Sequence, residues 1–344
     1  MVSRTVKPDD IHIRHQLRLP QDAHVLVQMH RGSASGPVHE ALEVSWPTKF
    51  ESLEISTVNG ISECPHSLQG LPYSKRDLLR HVRGLTVGMT ARAKPPIAVD
   101  GYFIDLRALS PNNLSHLLHD FIPLVLHAQK VLKADVILVL RQIAPAFLSV
   151  VQAFGIRVLD TELRVSGKLV RAHACRRLTA YEPPWFDMPA LVFVPHVYQG
   201  SKFESPLQAD SLFVARRGDR ALGNHAEVEA MLSAQGFKTV YMEDYSAAQK
   251  MGLMAQARRI VGIHGAGMAP AVFSSQLELV VELMPPHAFN EWFILSIGPM
   301  AKRYAVVMAD YDARLTRAGW PTLLHFKSAA FSIDLDLLRA ALTA

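Results

Sequence analysis

Short apolar runs alternate with amphipathic stretches through the second half of the chain. "SLFVA" (211–215), "FKTVYM" (237–242), "RIVGI" (259–263), "ELVVELM" (278–284) and "YAVVMA" (304–309) have the length and composition of buried strands. Helix signals lie between them. Asn224 stands three residues before Glu227 and Ser246 three before Gln249, both capping patterns, and Gly236 suits a helix end. Repeated alternation of strand and helix predicts a parallel, doubly wound α/β domain over residues 207–330.

Upstream, the pattern predicts a helix from about Asn113 to Lys133, the strand "DVILVL", a helix near Ala144–Phe154 closed by Gly155, and the strand "IRVLD". "ELRVSGKLVRAH" reads as a hairpin turning on Ser166-Gly167. A second α/β domain over residues 1–200 follows, with a linker near 198–210, where polar and turn-forming residues cluster. "HVLVQMH" and "FESLEISTV" read as strands whose order the pattern does not give. A closing helix over 332–344, begun by Asp334-Leu335-Asp336, is expected to be able to pack back on the N-terminal domain.

Composition narrows the class. With 344 residues and 49% hydrophobic content, the chain can bury two cores. The N-terminus lacks an apolar signal core, and runs such as "VILVL" fall far short of the roughly 18 residues of a membrane span. A cytoplasmic protein is expected. Cys64 and Cys175, remote in sequence and outside metal-ligand spacing, read as two reduced thiols. A formal charge of +5 and a pI near 9.2 favour anionic partners, and are compatible with peripheral contact with the inner membrane surface. The basic pairs Lys75-Arg76, Arg176-Arg177, Arg216-Arg217 and Arg258-Arg259 lack the aromatic interleaving of a nucleic-acid module. Nucleic acid is not expected as a partner.

In an open parallel sheet, ligands bind outside the carboxyl ends of the strands. There "SLFVA" runs into Arg216-Arg217, with Arg220 nearby, "FKTVYM" into Glu243-Asp244, and "RIVGI" into His264-Gly265-Ala266-Gly267. Glu282 lies near the end of "ELVVEL". The glycine turn leads toward a helix start, whose N–H groups and dipole suit a phosphate. Arg216, with Arg217 or Arg220, can add planar phosphate contacts, and Glu282 can accept from ribose hydroxyls. A second focus is "SPNNLSHLLHDFIPLVLHAQ" (110–129). His116 and Asp120, four residues apart, share one helical face and can together take a proton from a hydroxyl, while Pro123 is expected to kink or interrupt the helix.

These stretches together resemble glycosyltransferase family 61. "NNLSHLLHDFIPL" is similar to the family's His-x-x-x-Asp helix, "LFVARRGDRALGN" to its arginine-bearing strand end, and "IVGIHGAGMAPAVF" with "VVELMPP" to its most recognisable block. The resemblance implies a GT-B architecture, two Rossmann-like domains facing across a cleft. It also implies inverting transfer from a nucleotide sugar, UDP-linked as in UDP-GlcNAc or UDP-xylose, to a hydroxyl of a glycan or glycolipid acceptor in polysaccharide biosynthesis, without an essential metal or cofactor. By that resemblance Arg216, Arg217, Arg220, His264, Gly265, Ala266, Gly267 and Glu282 hold the donor, while Asp120 and His116 act at the acceptor. The "MAP" after the glycine turn departs from the family's Leu-Thr-Asn-like continuation.

Three other readings have their own residues. Asp310-Tyr311-Asp312 is an Asp-x-Asp that could bridge Mg²⁺ to phosphates, and it also makes an ordinary polar turn. A serine hydrolase would need a Gly-x-Ser-x-Gly elbow, which the chain lacks; in "GSASG" (32–36) Ala34 holds the serine position. A non-catalytic sugar-nucleotide or glycan-binding protein of the same fold would bind donor without turnover.

Overall fold

The computed structural model describes residues 13–15, 25–31, 38–44, 50–64, 93–107, 111–176, 198, 203–285, 293, 296–309 and 330–343. The Asp-x-Asp of the alternative metal reading at 310–312 and the basic pair at 75–76 lie outside them. The described strands are β1 (Ile13–His15), β2 (Val25–Arg31), β3 (Val38–Val44), β4 (Phe50–Ser62), β5 (Ile97–Asp105), β6 (Val136–Leu140) and β7 (Val158–Asp160). They continue with β8 (Val165–Arg176), β9 (Ser211–Ala215), β10 (Lys238–Tyr241), β11 (Arg259–Ile263), β12 (Leu279–Met284) and β13 (Arg303–Met308).

Two compact units divide the chain, giving an α/β protein with two parallel-rich sheets. One unit holds Met1–Leu19 and Lys49–Phe193, the other Pro20–Thr48 and Val194–Ala344. The expected N-terminal domain of residues 1–200 is therefore interrupted. The hairpin of β2 and β3 leaves it and joins the second sheet, where β2 runs parallel to β13 with Val27 opposite Tyr304. Edge backbone groups explain the exchange: without β2, one side of β13 would be an unpaired row of N–H and C=O groups.

The first sheet has the order β1-β4-β8-β5-β6-β7. From β8 to β7 its neighbours are parallel, while β4 is antiparallel to β8 and to β1. The hairpin expected at Ser166-Gly167 does not form; β8 passes straight through. Ser-Gly signals a turn, but here glycine meets a different need. Gly167 sits at φ +152 opposite an irregularity between Ala98 and Tyr102 of β5, and a Cβ on it would lie 2.7 Å from the Val99 carbonyl oxygen.

The second sheet has the order β10-β9-β11-β12-β13-β2-β3, parallel except for β3. Alternation divides its side chains between two faces. Phe213, Val261, Ile263, Val281, Leu283, Ala305 and Val307 form one core with Val228 and Leu232 of the helix His225–Ala234 and Leu337, Leu338 and Ala341 of the helix Leu335–Thr343. That last helix thus belongs to the second unit's core. Each of its two buried leucines contributes about 1.5–3 kcal/mol.

Ser246 forms the expected reciprocal cap with Gln249 on the helix Ala247–Ala255. Asn224 makes no cap bond. Its side chain instead donates to the Ile333 carbonyl (2.8 Å) and accepts from the Ile333 N–H (3.1 Å), tying the approach to the last helix onto the sheet. Asn224→Ala leaves that partly buried backbone unpaired, and we expect a loss of about 1–3 kcal/mol in denaturant unfolding. Unaltered unfolding would show the tie to be dispensable.

Candidate active site

Each unit carries one polar cluster beyond the carboxyl ends of its parallel strands. In the first unit the cluster is built around the end of β5. Arg107, fully buried, donates from Nε to Asp105 Oδ1 (2.9 Å) and from Nη2 to Asp105 Oδ2 (2.5 Å), and Ser62 Oγ donates to the same carboxylate (2.5 Å). Beyond β6, Asn112 accepts from the Ala144 N–H (2.7 Å) and donates to the Gln142 carbonyl (2.9 Å), with Gln142 held at φ +55. These bonds fix the platform from which the following helix starts.

That helix runs in three pieces: Leu114–His116, a wide π-type turn Leu117–Phe121, and Ile122–Leu132. Asn113 caps it, accepting from the Ser115 N–H at 2.9 Å. Pro123 explains the wide turn, since it supplies no N–H and crowds the carbonyl four residues back. The helix is therefore widened rather than ended. Within the turn, Leu117 to Phe121 are all buried.

Asp120 is one of those buried residues. His116 Nδ1 donates to its Oδ2 at 2.8 Å, while Oδ1 is enclosed without a hydrogen-bond partner. Desolvation pushes the Asp120 carboxyl up to about 6, although the hydrogen bond and charge of His116 pull the other way. His116 is about one-third exposed and spans from Asp120 to solvent. A half-satisfied carboxylate that titrates near neutrality can accept a proton from a hydroxyl.

In the second unit, β9 ends at Ala215 and the chain enters the loop holding Arg216, Arg217, Gly218 and Arg220. Gly218 lies at φ +70 and Arg220 at φ +61, unusual for an arginine. β11 ends at Ile263, and Gly265 lies at φ +154 with the Arg216 guanidinium directly against it. A Cβ on Gly265 would collide with Arg216 Nη1 and sit 3.5 Å from Arg220 Nη2. Two guanidinium groups thus converge on the backbone of one turn. Burial lowers the Arg220 pKa, the nearby Arg216 charge lowers it further, and Asp219 opposes both.

The helix expected after the turn, Ala266–Phe273, is of 3₁₀ type and contains Pro270. Its first N–H groups still lack partners within the helix by geometry. A Cβ on Gly267 would lie 3.4 Å from Val214 and Met242, an ordinary contact, whereas one on Gly262 would meet Met268 at 2.8 Å.

His264 and Glu282 meet as a buried pair, with His264 Nδ1 donating to Oε1 at 2.5 Å. Tyr304 donates its hydroxyl to Oε2 at 2.7 Å. Glu282 is completely enclosed, and both its oxygens are engaged by these two partners. Arg217 is paired within its own unit. It grips both oxygens of Asp244 (2.6 and 2.9 Å) and lies over the Tyr241 ring, 3.9 Å from its centre. Arg258 pairs with Glu278, and Arg259 bonds Ser211 and Gln235, so this basic pair is structural.

Tyr304 and the Asp105–Arg107 pair escape sequence reading. Tyr304 sits inside an apolar run, and only strand register brings it to Glu282. Among the described residues no three His, Cys, Asp or Glu side chains gather as a metal site, and no helix is long and apolar enough to cross a membrane.

Comparison with known families adds one result. Residues 114–288, just over half of the chain and including His116, Asp120, Arg216, Arg220, His264 and Glu282, match the family Glycosyltransferase 61. A comparison with curated proteins found no match.

Proposed function

The chain belongs to glycosyltransferase family 61, and from that premise we propose that it transfers a sugar from a UDP-linked donor to a hydroxyl of a glycan or glycolipid, with inversion at the anomeric carbon, in polysaccharide biosynthesis. The GT-B arrangement, a reaction without a required metal, and a cytoplasmic site of action belong to the same proposal. The observation that carries it is the convergence of Arg216 and Arg220 on the Gly265 turn. Two cations beside a glycine turn are a costly arrangement alone and a favourable one around a diphosphate.

In this reading Asp120 removes the acceptor proton, and His116 orients the carboxylate through its 2.8 Å bond. The acceptor oxygen forms the new bond to the anomeric carbon as the bond to the β-phosphate oxygen breaks. Arg216, Arg220 and backbone N–H groups stabilise the negative charge of the departing UDP. His264, held by Glu282, completes the donor pocket. His116→Ala should cost less turnover than loss of the Asp120 carboxylate.

A thermal-shift panel of nucleotides and nucleotide sugars tests the donor class. A ligand at 100 times its dissociation constant stabilises by about 2.7 kcal/mol, and UDP and one UDP-sugar should do so without added metal. Stabilisation by no nucleoside diphosphate contradicts the reading. Transfer should also survive EDTA. Strict dependence on Mg²⁺ or Mn²⁺, abolished by Asp310→Asn, would replace the arginine-based account with a metal-based one.

A further inference from the structure

Three side chains from neighbouring strands form a diagonal across one face of the second sheet. Gly262 lies opposite Glu282 and Val280 opposite Tyr304 in the strand register, and His264 follows Gly262 by two residues. Period-two alternation then puts His264, Glu282 and Tyr304 on the same face, each displaced by two positions from its neighbour's partner. Their side chains are joined by the 2.5 Å and 2.7 Å hydrogen bonds through the Glu282 carboxylate.

We infer that Tyr304 is a positioning residue for the donor site, acting on the His264 ring through Glu282; the part played by the ring itself rests on the donor reading above. β12 is the central strand of the seven, and both Glu282 and Tyr304 are fully buried, so water cannot satisfy the carboxylate. Without the Tyr304 hydroxyl, Oε2 would be a buried acceptor lacking this donor. Phenylalanine would fill the same apolar space, so packing alone does not account for the hydroxyl. Burial and the neighbouring carboxylate hold the hydroxyl pKa well above its ordinary value, which keeps Tyr304 a donor at working pH. A carboxylate anchored from behind fixes the Nδ1–H tautomer and plane of His264. The Phe293 ring borders the imidazole edge-on, its centre 5.5 Å away.

The test has two readouts. Histidine-selective ¹⁵N labelling of the ligand-free protein, with signals assigned by His264→Asn, reports the ring tautomer. Tyr304→Phe should move the His264 ring signals toward a mixed-tautomer pattern and weaken UDP binding about fivefold to tenfold. The double variant with Glu282→Gln should bind no worse than Glu282→Gln alone, because Tyr304 acts only through that carboxylate. Unchanged ring signals in folded Tyr304→Phe overturn the inference, whatever the protein binds. Shifted ring signals in a protein that never binds UDP uphold the positioning role and overturn the donor reading instead. If phenylalanine prevents folding, 3-fluorotyrosine placed at position 304 keeps the ring and strengthens the donor. It must then shift the same signals, and their constancy would equally overturn the inference.

Discussion

Asp120→Asn is expected to abolish transfer and to stabilise the fold, in the same protein and for the same reason. Asparagine keeps the size of the side chain and its bond to His116 but cannot take a proton, so kcat should fall by at least ~10²-fold while UDP affinity persists. Wild-type turnover should likewise fall as pH drops through about 6, where the carboxylate becomes protonated. Stability moves oppositely. Because the folded-state pKa is raised from 3.8 to about 6, folding favours the neutral acid, and the cost of burying charge is complete above about 6. That cost declines as pH falls between the two values and is absent below 3.8. A difference of roughly two pKa units corresponds to about 2–3 kcal/mol. The variant should therefore melt a few degrees above wild type at pH 8 and show no such gain at pH 3.5. Thermal melts and turnover measured at both ends of this range check the claim. A variant that keeps near-normal turnover would remove Asp120 from the mechanism.

Arg216→Ala should be the most damaging single change for donor binding. A charge-assisted hydrogen bond to an anion is worth about 1.5–3 kcal/mol, so UDP affinity should fall about 10- to 150-fold with the fold intact. Arg216→Lys should recover only part of the loss, since an ammonium lacks the planar fork. Gly265→Ala is the sharper control because it leaves both arginines in the chain. The new Cβ would occupy the place of Arg216 Nη1 and require a backbone conformation at φ +154 that side chains resist. Calorimetric titration of UDP into the three variants measures these effects. Wild-type affinity in folded Arg216→Ala and Gly265→Ala would move the phosphate site elsewhere.

Much of this was legible in the sequence because local rules and tertiary demands agreed. Strands β9 and β11 occupy the residues their apolar runs predict, and the Ser246–Gln249 cap forms as its spacing requires. His116 and Asp120 meet because a four-residue spacing on a helix brings them together even through the wide turn before Pro123. Where readings failed, long-range contacts had claimed the residue. Asn224 looks like a cap but is taken by Ile333, 109 positions away. Ser166-Gly167 looks like a turn, yet the glycine answers the approach of the Val99 carbonyl. Strand β2 reads as a strand in "HVLVQMH", but no local feature announces that it belongs to the second sheet, and its partner β3 is not picked out by the pattern at all. The same limit hid the partners of Glu282: its place at a strand end suggests a ligand contact, and only the register of β11, β12 and β13 shows that His264 and Tyr304 take its two oxygens.

The central claim is glycosyl transfer, and product analysis tests it most directly. The wild-type protein, given the UDP-sugar that stabilises it and an array of glycan acceptors, is followed by NMR for the anomeric configuration of product and for released UDP. The account predicts one UDP released for each sugar transferred, inverted configuration at the new bond, and neither product with Asp120→Asn. Donor binding without UDP release across the array, unchanged by Asp120→Asn, would contradict it and identify a sugar-nucleotide binding protein.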